Sequence, residues 1–359
     1  MGLVTPSIES LRPYVAGKPL EELSRERGVS DAVKLASNEN PLGASPRVLA
    51  ALAEALPNIH RYPDASAFEL RSALASALGI GPDELVFGNG SNELLELVVR
   101  TFATPGEHIV FGEPAFVVYR MAALAHGIDF TAVPLLNHRH DLPAMAKAVT
   151  PRTKILFIAN PNNPTGTYVT RSEVETLLAS VPPEVIVVLD EAYIEYVDAL
   201  DYPNGLALRA QHERLLVLRT FSKAYGLAGL RVGYAIGPRQ LCGYMERVRA
   251  PFNINSLAQI AARVALADTD HLARVTSLNR RERVRVAAGL SALGLQPIPS
   301  QANFICVDLG RDAASVFDRL LDHGVITRIA SPMNALRISI GTEAENSRML
   351  SAMEKVLRG

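Results

Sequence analysis

Tryptophan is absent from this 359-residue sequence, cysteine occurs twice, and aromatic residues make up only 6% of it. Cys242 and Cys306 lie in different segments without metal-type spacing, so we expect buried, reduced thiols in a cytosolic protein. The longest apolar runs, such as residues 185–189, fall far short of the roughly 18 residues that a membrane span requires. The N-terminus also lacks the charged and apolar regions of a secretory signal. These absences predict a cytoplasmic protein with no membrane partner.

A marked excess of either charge is missing as well. The 36 basic and 37 acidic residues leave a net charge of -1. The densest charged run, residues 279–285, mixes both signs, as a solvated helix face does. Because binding to nucleic acid requires a clustered basic surface, nucleic acid is a poor candidate partner. The length is enough for about two domains with a large core.

From about residue 68 onward, segments with the helical period alternate with apolar, strand-like segments. We predict strands at 84–88, 108–114, 128–135, 154–161, 185–192, 214–222 and 231–237, and helices at 68–78, 91–102, 116–127, 142–149 and 171–181. Ser91 is the expected N-cap of its helix, and Gly127 is expected to end another. A Gly/Ala-rich run after Lys223 also has the appearance of a helix. The alternation predicts an α/β domain with a mostly parallel sheet.

Beyond residue 250 the pattern changes. A long helical stretch at about 256–294 precedes two predicted strands, 303–309 and 336–341, which indicate a smaller α+β unit. We therefore predict a large domain over residues 41–255 and a small C-terminal domain over 256–359. The N-terminal arm, residues 1–40, is expected to join the small domain.

Two loops that follow predicted strands carry groups suited to binding an anion or a polar ligand. In FGNGSNELLE, residues 87–96, Gly90 allows a turn that would present the free N–H groups of Ser91 and Asn92 at a helix start. In ANPNNPTGTY, residues 159–168, two prolines and a glycine constrain a turn around Asn163, whose amide can bond a phenolic oxygen or a carboxylate. Each stretch, taken alone, could equally be an ordinary turn.

Two further predicted strands end in ionisable residues, an aspartate and a lysine. Asp190 directly follows five apolar residues, and a carboxylate buried there requires a cationic or protonated partner. Tyr193 can face the same crevice. Lys223 follows the predicted strand 214–222 and offers an amine that forms a Schiff base when its pKa is lowered. A phosphate beside it can be bound by Thr220, Ser222 and Arg231. On their own, Asp190 could cap the next turn and Lys223 could be a surface lysine.

Ligands of open α/β sheets bind beyond the carboxyl ends of the strands, so these four loops are expected to meet. Together they supply a phosphate cradle, a carboxylate, a phenol, an amide and an amine. Pyridoxal phosphate requires such partners: a lysine for the Schiff base, an acid at the pyridine nitrogen and a phosphate site. The combination predicts a pyridoxal-phosphate enzyme.

The chain resembles the fold-type I pyridoxal-phosphate aminotransferases, in their histidinol-phosphate aminotransferase branch. The matching segments span nearly the whole chain: LRPYVAGKP (11–19), KLASNENPLG (34–43), RYPD (61–64), GNGSNELLE (88–96), NPNNPTG (160–166), DEAYIEY (190–196), RTFSKAYGLAGLRVGY (219–234), QANF (301–304) and LRISIGT (336–342). The resemblance implies the aspartate aminotransferase-like fold, with a mostly parallel seven-stranded sheet in the large domain and a smaller α+β domain.

The resemblance also implies roles for residues around pyridoxal 5′-phosphate. Lys223 would form the Schiff base and shuttle the proton, and Asp190 would pair with the pyridine nitrogen. Tyr193 and Asn163 would bond the phenolic oxygen. The implied phosphate contacts are Gly90, Ser91, Asn92, Thr220, Ser222 and Arg231.

Two positions depart from the pattern of the family. Phe116 stands at the position that stacks on the pyridine ring, where many members have tyrosine and a hydroxyl to donate. Asn92 stands where an acidic residue is common, which we expect to matter little because the backbone N–H makes the contact. Tyr62 is similar to the tyrosine that reaches the cofactor phosphate of the neighbouring subunit, so the resemblance implies a homodimer.

The implied reaction is the transamination of L-histidinol phosphate with 2-oxoglutarate, which gives imidazole acetol phosphate and L-glutamate in histidine biosynthesis. Arg337 resembles the arginine that binds the acidic group of the substrate, since one guanidinium can accept a carboxylate or a phosphate. Without the resemblance it could be a surface charge at a strand end. Tyr14, Asn38, Asn163 and Arg328 match the other substrate positions of the branch.

Four alternatives differ in chemistry or in class. An aromatic amino-acid aminotransferase shares the segments around Lys223 and the run PSQANF, residues 299–304. A decarboxylase of the phosphothreonine type also has similar sequences. A transcription regulator with an aminotransferase-like domain would require an added DNA-binding domain, for which 359 residues leave no room. A plain binding protein would not require Lys223 and Asp190 together.

Overall fold

The computed structural model describes residues 3–358 as two sheets, a short strand pair and the helices packed around them. The strands are β1 (Val33–Lys34), β2 (Leu85–Gly88), β3 (His108–Glu113), β4 (Asp129–Pro134), β5 (Thr153–Ala159), β6 (Ile186–Asp190), β7 (Leu215–Thr220), β8 (Gly233–Ile236), β9 (Gln296–Pro297), β10 (Phe304–Asp308), β11 (Val325–Ile326), β12 (Arg328–Ile329) and β13 (Ala335–Ser339).

The α-helices cover both faces of the larger sheet and one side of the smaller. They are α1 (Pro6–Ser10), α2 (Leu20–Arg27), α3 (Pro46–Ala55), α4 (Phe68–Leu78), α5 (Ser91–Phe102), α6 (Val118–His126), α7 (Leu142–Lys147), α8 (Arg171–Ser180), α9 (Gly205–Arg209), α10 (Arg239–Val248), α11 (Ser256–Ala267), α12 (Thr269–Ala292), α13 (Ala313–Asp322) and α14 (Glu343–Arg358). Among residues 3–358, no helix combines the length and the apolar character that crossing a membrane requires.

The larger sheet has seven strands in the order β2-β8-β7-β6-β5-β3-β4. Its strands run parallel except β8, which is antiparallel to both of its neighbours. The middle strands β5 and β6 are buried along nearly their whole length, since helices cover both faces of the sheet. Such strands read as continuous apolar runs in the sequence. The predicted α/β fold with a mostly parallel seven-stranded sheet is therefore confirmed.

The smaller sheet is antiparallel, in the order β12-β13-β10-β9. Strand β1 of the N-terminal arm pairs in parallel with β11, which precedes β12 in the chain. Beside the large sheet, α11 packs Ala258, Ala261 and Ala262 into the core around β2, β7 and β8. The predicted division near residue 255 stays a prediction, and we propose that the change of unit lies at Asp268, between α11 and α12.

Two local predictions were wrong. The Gly/Ala-rich run after Lys223 forms turns and one 3₁₀ turn, Ala228–Leu230, rather than an α-helix. Gly226 there has a φ of +71°, and a Cβ on it would lie 2.3 Å from the carbonyl oxygen of Gly43. Helix α5 begins at Ser91 itself, and its N-cap is Gly90, which has no side chain to cap with. At Gly226 the helix signal was overridden because the backbone must approach another segment closely, whereas α5 forms as predicted and only its N-cap differs.

Candidate active site

One cavity, with about 930 Å³ of space that is partly open to solvent, lies beyond the carboxyl ends of β5, β6 and β7. All the site residues predicted from the sequence line it except Gly90 and Tyr62: Tyr14, Asn38, Ser91, Asn92, Phe116, Asn163, Asp190, Tyr193, Thr220, Ser222, Lys223, Arg231, Arg328 and Arg337. Residues more than 300 positions apart in the chain thus share one surface.

Lys223 lies in this cavity with a single polar partner among the described residues. Its Nζ donates to the backbone oxygen of Ser37 at 3.1 Å and lies 5.9 Å from the ring centroid of Tyr193. No carboxylate within residues 3–358 pairs with it. Burial, followed by the positive charge of Arg337, lowers the pKa of Lys223 from 10.5 to about 8. A substantial fraction of this amine is therefore neutral and nucleophilic at mildly alkaline pH.

Asp190 ends β6 with one carboxylate oxygen engaged and the other free. Its Oδ2 accepts a hydrogen bond of 2.7 Å from the hydroxyl of Tyr119, whereas Oδ1 is buried without a partner among the described residues. Burial raises the pKa of Asp190 from 3.8 to about 6, although the bond from Tyr119 and, after it, the backbone N–H of Ala192 act against this rise. A buried acceptor without a donor is costly, so Oδ1 is suited to a ligand that brings an N–H group.

An anion cradle lies at the start of α5. The glycine turn brings the first N–H groups of this helix into the cavity, next to the guanidinium of Arg231. Gly90 has a φ of +76°, and a Cβ on it would lie 2.4 Å from Nη2 of Arg231. Gly90 therefore contributes through its lack of a side chain, although it does not line the cavity itself. The hydroxyls of Thr220 and Ser222 complete the cradle.

A second cationic region lies on the small sheet, across the cavity from the first. Arg328 and Arg337 are directly paired across the antiparallel strands β12 and β13, and neither forms an ion pair within residues 3–358. Arg337 donates to Oδ1 of Asn163 at 2.8 Å and to the backbone oxygen of Ala36, and its Nε has no partner in the described part of the chain. Like charges in directly opposed positions destabilise a sheet. The pair is therefore suited to binding an anionic group from solution.

The N-terminal arm forms one wall of the cavity. Arg328 donates to the backbone oxygen of Val15, and its guanidinium lies 5.8 Å from the ring centroid of Tyr14. Deeper in the site, Tyr193 accepts hydrogen bonds from the amides of Asn38 at 3.0 Å and Asn163 at 3.3 Å. Because two donors already occupy its oxygen, the hydroxyl proton of Tyr193 is available to a ligand.

Similarity to known proteins identifies the family of the chain. Residues 30–353 match the model of the family described as aminotransferase class I and II. The chain belongs to this family.

Individual members and one solved structure resemble the chain along its whole length. It is 51% identical to histidinol-phosphate aminotransferase 2 of Pseudomonas fluorescens, covering 99% of this chain and 98% of that protein. It is 49% identical to the histidinol-phosphate aminotransferase of Anaeromyxobacter sp., covering 99% of this chain and all of that protein. The crystal structure of histidinol-phosphate aminotransferase from Sinorhizobium meliloti in complex with pyridoxal-5′-phosphate superposes with a TM-score of 0.92 at 33% identity, covering 100% of this chain and 98% of that one.

Three groups at the site of this aminotransferase were not predicted from the sequence. The backbone oxygens of Ser37 and Ala36 hold Lys223 and Arg337, and a backbone acceptor leaves no mark in the residue types. Tyr119 is different, because it lies three residues after Phe116 within the helix that the sequence predicts at 116–127. Residues three apart on a helix share a face, so this spacing could have indicated that Tyr119 lies near the site.

Proposed function

We propose that the chain catalyses a pyridoxal-phosphate-dependent transamination between L-histidinol phosphate and 2-oxoglutarate. The observation that carries the proposal is one cavity in which Lys223 and the free oxygen of Asp190 lie between two separate anion-binding regions. The full-length similarity to proteins named histidinol-phosphate aminotransferase supports the choice of substrate. A phosphate held at α5 and a second anion at Arg337 match a phosphorylated cofactor and an anionic substrate.

The residues present fit pyridoxal phosphate. The cradle of Arg231 and the α5 N-terminus would hold its phosphate, and the space there exists because Gly90 has no Cβ. The unpartnered Oδ1 of Asp190 would accept from its ring nitrogen. Phe116 would stack on the ring, and Tyr193 would donate to the phenolic oxygen.

Each protein group has a defined task in this reaction. Pyridoxal phosphate, when bound, supplies the aldehyde carbon and the electron-withdrawing ring. The amine of Lys223 would hold the cofactor until the substrate amine takes its place. The freed Nζ of Lys223 would then accept the proton from the substrate carbon that carries the amine, and would donate it again to complete the transfer of the amino group. Asp190 would keep its negative charge opposite the ring nitrogen and so hold a proton there. Arg337 would orient the acidic group of either substrate.

The activity of Lys223 should depend on pH in a defined direction. Because its pKa is lowered to about 8, the neutral fraction increases as the pH rises through this value. We expect the rate at which the cofactor-free protein takes up pyridoxal phosphate to increase between pH 7 and pH 9, with a midpoint near 8. Stopped-flow absorbance would measure this rate. A midpoint above pH 10 would mean that the amine is not buried as described.

Arg328 should distinguish the two substrates. Replacing it with alanine removes a charge-assisted bond to the substrate phosphate, which corresponds to roughly a 10- to 100-fold increase in KM for histidinol phosphate. The KM for glutamate should change much less, because Arg337 remains. Steady-state kinetics of both half-reactions would show this, with Arg263→Ala, an exposed arginine on α11, as the matched control. Equal increases for both substrates would contradict the assignment.

We also propose a homodimer in which Tyr62 completes the site of the partner subunit. Tyr62 is 84% exposed, lies outside the cavity of its own chain and stacks on the half-exposed ring of Phe252, with 4.8 Å between the centroids. Large exposed apolar side chains nearby, such as Leu56, Ile59 and Phe68, support a contact surface.

A substrate panel tests the proposed function. The purified holoenzyme would be mixed with histidinol phosphate, phenylalanine, tyrosine and phosphothreonine, and loss of the cofactor absorbance would rank their single-turnover rates. We expect histidinol phosphate to react fastest and 2-oxoglutarate to restore the absorbance. A faster reaction with the aromatic amino acids, or carbon dioxide release from phosphothreonine, would overturn the choice of substrate.

A further inference from the structure

Tyr119 is a buried tyrosine whose hydroxyl contacts the key carboxylate from outside the cavity. It is 1% exposed, it does not line the cavity, and its hydroxyl donates to Oδ2 of Asp190 at 2.7 Å. The two residues are 71 positions apart, on α6 and at the end of β6. A hydroxyl bonded to a carboxylate in an apolar interior is a strong interaction, since the low dielectric strengthens it.

The ring of Tyr119 is held so that its hydroxyl has one direction. It stacks on Phe157 of β5 with 4.9 Å between the centroids and an interplanar angle of 13°. The ring of Phe116 also contacts it in a T-shaped arrangement, with 6.2 Å between the centroids and an interplanar angle of 88°. Phe116 precedes the same helix and lines the cavity. The short segment 116–119 therefore contributes both the hydroxyl that contacts Asp190 and the ring of Phe116 that lines the cavity.

We propose that Tyr119 is a positioning residue for transamination: its hydroxyl holds Oδ2 of Asp190, so that the carboxylate stays charged and presents Oδ1 to the cofactor ring nitrogen. This inference rests on the proposed function. Without the hydroxyl, a carboxylate this deeply buried would more readily take the proton for itself. The contact between Asp190 and the cofactor ring nitrogen would then be a neutral hydrogen bond instead of a charged one. An unprotonated cofactor ring would withdraw electrons less strongly.

The groups around Asp190 explain why this task falls to Tyr119. The titratable groups that act on it are Tyr119 from α6, Glu191 next in the chain, Tyr193 in the following turn and Tyr202. Glu191 opposes the charge of Asp190, although Arg219 is paired with Glu191 at 2.8 Å. Burial raises the pKa of Tyr119 well above 10, so it remains a protonated donor. Of these side chains, Tyr119 is the one whose hydrogen bond stabilises the ionised form of Asp190.

The first test uses the protein without cofactor and follows the unfolding free energy against pH. The pKa of Asp190 is raised in the folded state from 3.8 to about 6, so the unfolded chain releases this proton first. Stability contributed by the protonated form is therefore lost as the pH rises through that interval. Tyr119→Phe keeps the ring packing and removes only the hydroxyl. In this variant the decline of the unfolding free energy should extend to a pH higher by about one unit or more, because the pKa of Asp190 rises when the hydrogen bond is lost.

The control is Tyr168→Phe. Tyr168 also donates to an aspartate, Asp201, at 2.7 Å, but on the exposed surface away from the cavity. This variant should keep the wild-type pH profile. In an Asp190→Asn background, Tyr119→Phe should no longer shift the profile, because the carboxylate is gone. Incorporating 3-fluorotyrosine at position 119, which donates more strongly, should move the decline to lower pH. Equal profiles for Tyr119→Phe and Tyr168→Phe would overturn the inference.

The second test measures the affinity of each cofactor-free variant for pyridoxal phosphate at pH 7.5, and the nitrogen-15 shift of the bound ring. Tyr119→Phe should weaken binding by about tenfold and move the shift toward unprotonated pyridine. Tyr168→Phe should change neither quantity, and identical results for the two variants would again overturn the inference. If the wild-type protein binds no pyridoxal phosphate, the proposed function fails, whereas the pH profile of the cofactor-free protein still tests the Tyr119–Asp190 contact.

Discussion

Replacing Lys223 with alanine is expected to lower the transamination rate by on the order of 10⁴-fold or more. The residue would provide both the amine that holds the cofactor and the base that moves the proton. No other lysine lines the cavity within the described residues, so no neighbour can take over either task. Single-turnover kinetics with histidinol phosphate would measure the loss, and the absorbance of the added cofactor would show whether it is still bound.

The matched control for this loss is Lys147→Ala. Lys147 is an exposed lysine at the end of α7. We expect its removal to leave the rate within about twofold of the wild type, as for most surface substitutions. A Lys223→Ala enzyme that keeps the wild-type rate would refute both the role of this residue and the proposed chemistry.

Exchanging Asp190 for asparagine should have opposite effects on activity and on stability. Breaking a buried charge pair costs roughly 3–5 kcal/mol, so the rate should fall by a factor on the order of 10² to 10⁴. The protein without cofactor, in contrast, should become more stable by about 3 kcal/mol at pH 7.5. The reason is the pKa of Asp190, which burial of the ionised carboxylate raises from 3.8 to about 6.

The pH dependence fixes the sign of this second effect. Since the folded-state pKa of Asp190 is the higher one, its ionisation destabilises the wild type as the pH rises from about 4 to about 6, and the full cost persists above that interval. The asparagine variant should lack that decline. Thermal or denaturant unfolding of cofactor-free protein at pH 4, 6 and 7.5 would measure it.

Asp201→Asn is the control for the stability change, because Asp201 also accepts a tyrosine hydroxyl but lies on the surface. It should gain no stability at any of the three pH values. An Asp190→Asn protein that is less stable than the wild type at pH 7.5 would mean that the buried carboxylate is compensated in the free protein. Such a result would remove the argument that the fold holds this group ready for a ligand.

Much of the fold could be predicted from the sequence where one local signal acted alone. The buried strands β5, β6 and β7 have uninterrupted apolar runs, and α4 lies at the predicted residues 68–78. The prediction was wrong at the loop after Lys223, where helix-forming residues are held in turns because Gly226 must approach Gly43. Helical propensity is weak, and a contact with a distant segment overrides it.

The sequence by itself determined which chemical groups are available. Lys223, Asp190 and the glycine turn at Gly90 are recognisable from residue type and from their position after predicted strands, since parallel strands place their carboxyl ends along one edge. The family resemblance added the branch and the expected substrate.

Only the tertiary structure decided how these groups act on one another. The bond from Tyr119 to Asp190, the direct pairing of Arg328 with Arg337 and the free Oδ1 of Asp190 depend on contacts between segments far apart in the chain. The pKa values of Lys223 and Asp190 depend in the same way on burial and on neighbouring charges. Electrostatic interactions are governed by distance in space and by solvent exposure, and neither quantity can be read from the order of the residues.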